Sequence, residues 1–240
     1  MLLEVNLMSR HIWACVAVLS CALLLNAQPA HAQQTFNVNL GYFTPHGADA
    51  RVTGDVLVAD RNFQTFAIKD FNGPSIGAEW LIPLGNFFEA GVGASFTRRT
   101  VPSIYTRLVN TNGSNIKQDL RLRTVPVDLT FRALPLGVHN GFEPYVGAGL
   151  GIVSWRYSEF GQFVDTTDNS IFNGSFVGTG TATGPVAMGG VRFSGSSATA
   201  GFEVKYRKAT GNLSTNDFLA PKIDLGGWTY QFNVGMRFGR

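Results

Sequence analysis

From residue 228 to 238 the chain reads Trp-Thr-Tyr-Gln-Phe-Asn-Val-Gly-Met-Arg-Phe. Trp228, Tyr230, Phe232, Val234, Met236 and Phe238 are large and apolar, whereas Thr229, Gln231, Asn233, Gly235 and Arg237 are polar or small. Successive side chains of a strand point to opposite faces, so this segment presents one face that is apolar from end to end and one that is wet. Soluble sheets alternate too, but they seldom carry aromatics at both ends of the apolar face. Aromatic ends with aliphatic residues between them predict a strand laid against lipid.

The same period recurs along the chain. Phe36, Val38, Leu40 and Tyr42 share a face in residues 36–44, and Ile76, Ala78, Trp80 and Ile82 do so in 75–82. Further strands are predicted over 87–98, 118–134, 142–157, 185–194 and 199–208. With the terminal segment they make eight. Short connections (83–86, 135–141, 195–197) alternate with long ones (45–71, 102–117, 158–183, 209–226). That alternation predicts an all-β fold, an eight-stranded antiparallel up-and-down transmembrane β-barrel with strands of about ten residues. A soluble sandwich is the rival, but its loops need not alternate in length. Within 118–134, Leu120 and Leu122 fall out of phase with Val125, Val127, Leu129 and Phe131. The slip lies beside Pro126, which cannot donate to a ladder, and predicts a β-bulge at residues 124–126.

The ends of the chain are read separately. Arg10 and His11 precede an apolar run over 12–25, and Ala30-His31-Ala32 supplies a small-residue cleavage site. The expected division is a signal peptide over 1–32, starting at Met1 or Met8, and a barrel domain over 33–240. Both cysteines, Cys15 and Cys21, fall in the signal, so the barrel carries no disulfide or thiolate metal site. The net charge of +3 is spread among acids, which argues against a nucleic-acid partner.

The inward phase of the strands places Glu79, Glu89, Asp128, Glu143 and Glu203 opposite Arg132, Arg192, Lys205, Arg207 and Arg237. The interior of an eight-stranded barrel is only wide enough for side chains to fill. Charges there must pair, so these residues are expected to form a lumen-closing ion-pair network; the alternative is a narrow ion path through the same residues. Glycines such as Gly147, Gly149 and Gly151 lack the strand–turn–helix setting of a phosphate loop and instead leave room for long side chains. Trp80, Phe142 and Phe238 should mark the periplasmic interface, and Tyr42, Trp155 and Trp228 the outer one. No cofactor or metal site is expected, since Asp165, Asp168 and Asn169 are too few oxygen ligands for Ca²⁺. Of the two histidines beyond the signal, His139 falls in a turn and His46 has no spaced serine, so no catalytic residue is assigned.

Asn39-Leu-Gly-Tyr-Phe43, Glu143-Pro-Tyr-Val-Gly-Ala-Gly-Leu-Gly-Ile152, Gly201-Phe-Glu-Val-Lys-Tyr-Arg207 and residues 231–238 resemble the OmpA/OmpX-like family of small outer-membrane β-barrels. The resemblance implies an outer-membrane location with periplasmic termini. It implies outer-membrane lipid and the barrel assembly machinery as partners, and a monomer. Gln231, Met236 and Phe238 fit the family's assembly signal, with Asn233 where a glycine is usual. The function it implies is a non-enzymatic envelope-structural or surface-interaction role, with an unidentified ligand at the extracellular loops, above all 46–70 and 158–183. A narrow channel for small or hydrophobic solutes, as in OmpW-like barrels, is the alternative. A lipid-modifying enzyme using His46 comes third.

Overall fold

The computed structural model describes residues 33–138, 141–165 and 167–239. The signal segment and His139 lie outside the described residues. Eight strands close a barrel: β1 (Gln34–Pro45), β2 (Gly73–Pro83), β3 (Phe88–Val109), β4 (Asn115–Ala133), β5 (Phe142–Val164), β6 (Ile171–Ser194), β7 (Ala198–Arg207) and β10 (Gly227–Phe238). All neighbours are antiparallel, and β10 pairs with β1 from Gln34↔Phe238 to Pro45↔Gly227. That seam leaves the barrel no free edge, so backbone N–H and C=O groups are paired without water. Gly85, with φ of +77°, makes the tight turn between β2 and β3, a conformation that side-chain-bearing residues avoid.

The central strands run far beyond the expected ten residues. β3, β4, β5 and β6 span 22, 19, 23 and 24 residues. Segments 102–117 and 158–183 are therefore not loops over most of their length. β3 and β4 stay paired to Ile104↔Lys117 and meet again at Val109↔Asn115, while β5 and β6 pair as far as Val164↔Ile171. Polar residues such as Lys117, Asn173 and Thr179 mix with apolar ones such as Leu108 and Val177 at exposed positions here, so the apolar alternation fades while strand pairing continues.

The bulge expected at 124–126 does not form. Val127 pairs with Ala94 and Thr124 with Thr97, a constant register, and the β4–β5 ladder is equally continuous through Pro126↔Val153. Leu120 and Leu122 point inward, in phase with Asp128 and Arg132. What changes along β4 is the character of the interior, from ionic to apolar.

The apolar part fills the long-loop end of the barrel. Segment 45–73 carries a helix, α1 (Val56–Asp60), whose N-cap Asp55 accepts a hydrogen bond from the Val58 N–H at 3.2 Å. The β7–β10 connection carries a small two-stranded sheet of β8 (Thr210–Asn212) and β9 (Lys222–Asp224). Val56, Leu57, Phe71, Phe218 and Ile223 from these connections pack on the inward residues Val101, Leu120, Val153 and Trp155 of the extended strands.

Candidate functional site

The mid-barrel interior is an ionic layer built by inward positions of every strand but β1. On one side of it, Arg132 of β4 donates through Nη2 to both oxygens of Glu79 on β2, at 2.6 and 2.7 Å, and to Oε2 of Glu203 on β7 at 2.7 Å. The Tyr145 hydroxyl and Gln231 Nε2 donate to the same Glu203 at 3.0 and 2.9 Å. The Arg132 guanidinium also lies 4.6 Å from the centre of the Tyr145 ring. In a second cluster Arg192 bridges Glu89 and Glu143, each at 2.6 Å, and Arg237 reaches Glu143 at 2.6 Å. In the third, Asp128 accepts from Arg207 at 2.6 Å and from Lys205 at 3.4 Å. Lys205 lies 3.5 Å from Glu203, which ties the first cluster to the third.

Charge therefore balances locally, carboxylate against guanidinium or ammonium, in a space that water cannot screen. Arg132, Glu143, Arg192 and Glu203 are at most 1% exposed. An unpaired charge in such a place costs several kcal/mol. The inward glycines fit this layer: a Cβ on Gly151 would lie 2.5 Å from Asp128 Oδ1, and one on Gly147 3.1 Å from Arg132 Cγ. They keep space for the ion pairs.

The outer wall is apolar. Tyr42, Trp80, Phe142, Trp228 and Phe238 stand exposed on it, as do Leu150, Phe232, Val234 and Met236. Trp80 meets Phe238 edge-on at 5.9 Å at the short-turn end, and Tyr206 meets Trp228 at 4.8 Å at the other. The Trp80 indole N–H donates to Gln34 Oε1 at 3.0 Å, so the polar tip is satisfied while the ring lies against the outside. No second layer of protein covers this wall among the described residues, and an exposed apolar band with aromatics toward both ends is the exterior that lipid demands. The barrel crosses a membrane.

Trp155 is a correction. It is 3% exposed, points inward, and belongs to the apolar core. A Cβ on Gly211 would come within 2.6 Å of its ring and one on Gly180 within 3.0 Å. The reason is parity: Ile152 faces out, so Val153, Trp155 and Tyr157 face in.

The long connections are pinned together. His46 Nδ1 lies 3.1 Å from both carboxylate oxygens of Asp224, and Arg51 forms a bidentate pair with Asp55 at 2.7 and 2.9 Å. Asp55 in turn accepts from the Asp224 N–H at 2.6 Å. The other His46 nitrogen is buried with no hydrogen-bond partner among the described residues. Asp165 and Asp168 accept from the backbone N–H groups of Thr167 and Ser170, at 2.7 and 2.9 Å, and serve a turn.

One group went unnoticed in the sequence. Asp60 of α1 and Glu159 of β5 are both buried above the membrane band, and Tyr157 donates to Asp60 Oδ2 at 3.0 Å. Burial, then the charge of Glu159, pushes the Asp60 carboxyl up to about 8; burial raises Glu159 to about 7. Glu159 sits in the wall of a cavity of about 500 Å³ that opens at the outer rim. The signal that could have found it is the inward phase of β5, continued past Trp155.

Neither a protein-family model nor a curated protein matches the chain. Solved structures similar to it include the solution structure of the E. coli outer membrane protein W, at 15% identity and a TM-score of 0.46, covering 86% of this chain and 98% of that one. Neisserial surface protein A is 9% identical, with a TM-score of 0.43 and coverage of 87% and 97%. The N-terminal β-barrel domain of Pseudomonas aeruginosa OprF is 12% identical, with a TM-score of 0.41 and coverage of 86% and 99%.

Proposed function

We propose that this protein is a non-enzymatic outer-membrane barrel whose lumen is closed and whose work is done by the structured outer rim. The observation that carries the reading is the stacking of two seals along one axis. Ten charged side chains pair across the middle, and an apolar core drawn from the long connections fills the outer end above them. A solute on the axis would have to break buried ion pairs and then cross packed Val56, Leu57 and Trp155. The His46–Asp224 and Arg51–Asp55 pairs hold the rim in one shape, and pre-ordered connections on a rigid scaffold suit binding. The lipid exterior and the barrel seam fit assembly by the outer-membrane insertion machinery, with short turns and termini on the periplasmic side. Gln231 here holds Glu203 inside the barrel, while Met236 and Phe238 remain on the outer wall as an assembly signal would require.

Planar-bilayer recording tests this. The wild-type barrel is expected to show no unit conductance, and the joint substitution Arg132→Ala with Arg192→Ala to stay silent too, because the apolar outer plug still closes the axis. Steady unit conductance of the wild type, altered by either single substitution, would instead establish the narrow channel.

A further inference from the structure

The cavity at the outer rim, the one bounded by Glu159, has the makings of a ligand site. Its upper wall is apolar and aromatic: Phe63 from the first connection, Phe172 and Phe176 from β6, and Leu219 from the last. At its floor stand Glu159 and Gln64. Glu159 is 6% exposed and Gln64 5%, and each keeps one buried side-chain oxygen without a hydrogen-bond donor, Oε1 in both. Asp60, entirely buried behind them, has Oδ1 in the same condition. Two residues with an unserved buried oxygen therefore line one end of a greasy pocket, and the Asp60 carboxyl lies outside its lining. Among the described residues, no Lys, Arg or His lines the cavity.

The groups facing Glu159 are all acidic or neutral: Asp60 of α1, Tyr157 on its own strand, Tyr105 on β3, Gln118 on β4 and, at the rim, Asp217. Asp55, the other carboxylate near Asp60, is already committed to Arg51. Gln118 spends its amide on neighbours, accepting from Gln64 Nε2 at 2.6 Å and donating to the Gln162 carbonyl at 2.9 Å. Its bonds leave the Gln64 oxygen as unserved as the carboxylates.

We propose that this cavity binds an organic cation, a primary ammonium on an apolar or aromatic body of small-molecule size. The ammonium supplies three N–H donors and a charge to the floor. The body fills the upper wall, where aromatic rings favour both apolar surface and a nearby cation. The size and lining are those of ordinary small-molecule pockets, mostly apolar with a few convergent polar groups. Without ligand the two carboxyls keep a proton because burial and mutual repulsion disfavour the double charge. Binding replaces that proton by the ammonium, so proton release accompanies occupancy near neutral pH. The proposal rests on the outer rim being the working surface, but it does not depend on the closed lumen.

The test is titration calorimetry of the folded barrel in an uncharged maltoside detergent with 4-phenylbutylammonium, and with 4-phenylbutanol as its neutral counterpart. The cation is expected to bind with an affinity that rises at least tenfold from pH 6 to pH 9. In buffers of different ionisation enthalpy it should release protons at pH 7. E159Q should weaken the cation at least tenfold and reduce the pH dependence, while leaving the alcohol unchanged. Equal binding of cation and alcohol at pH 9, or full cation affinity in E159Q, overturns the proposal. Because proton release is read on the wild type alone, its absence overturns the proposal even if E159Q does not fold. Bilayer recording reports on the lumen and not on this cavity, so failure of one reading is visible apart from failure of the other.

Discussion

Arg132 holds the middle of the barrel, and replacing it by methionine exposes how the ionic layer is built. Methionine keeps the volume but removes every donor. Glu203 would still accept from Tyr145 and Gln231 and lie 3.5 Å from Lys205. Glu79 has less in reserve: its hydrogen bonds among the described residues both come from Arg132, which leaves it only the more distant charge of Lys205. Stranding one buried carboxylate in this way costs about 3–5 kcal/mol, roughly two to three and a half powers of ten in the unfolding equilibrium. Glu79→Gln alone should cost less, since Arg132 retains Glu203 at 2.7 Å. The double substitution removes the stranded charge and should recover roughly 2 kcal/mol of the loss. Urea unfolding in phosphatidylcholine vesicles, followed by tryptophan fluorescence and by the gel mobility of unboiled samples, measures all three. A double variant as unstable as Arg132→Met, or a single loss below about 1 kcal/mol, would refute the assignment of Glu79 as the dependent partner.

Three further outcomes follow from the same coordinates. Gly149→Ala would drive its Cβ into the Leu129 carbonyl, whereas Gly189→Ala meets nothing closer than 3.7 Å; refolding yield should collapse for the first and hold for the second. Asp60 and Glu159 have folded-state values raised from 3.8 to about 8 and from 4.5 to about 7, so the folded state holds protons that the opened state loses. Stability of the outer plug should be greatest below pH 4 and fall as pH rises to about 8, with no further change above; hydrogen exchange of α1, corrected for intrinsic rates, should show this, and Asp60→Asn should leave only the smaller fall that Glu159 contributes, ending near pH 7. Asp224→Ala removes the shared partner of His46 and the Val52 and Gly226 N–H groups, so proteolysis should reach segment 45–73 at least tenfold faster while the barrel stays intact.

The barrel was legible because lipid imposes a simple rule on each strand. Trp228 to Phe238 and Phe36 to Tyr42 alternate without interruption, and β1 and β10 prove to be neighbours along that whole length. The charged positions could be assigned by the same parity, from Glu79 through Arg237. Beyond the membrane band the rule lapses, since outward residues there meet water and inward ones meet protein. From sequence alone, Leu120 and Leu122 therefore look like a slip of register, and Trp155 like an interface aromatic. Both belong to an apolar core that needs Val56, Leu57 and Phe218 from distant connections to exist at all. Asp60 and Glu159 were invisible for a related reason: they are 99 residues apart in sequence and meet only once α1 enters the mouth.

The native tryptophans offer the most direct test of the claim that hydrocarbon covers the outer wall and protein fills the interior. Trp80 and Trp228 are exposed on that wall at its two ends, and Trp155 is enclosed. Three variants of the polypeptide from Gln33 onward, each retaining one tryptophan, would be refolded into bilayers of lipids brominated along the acyl chain. Bromines near the headgroup should quench Trp80 and Trp228 strongly and leave Trp155 bright. Quenching of Trp155, or bright Trp80 and Trp228 at every bromine depth, would contradict the account.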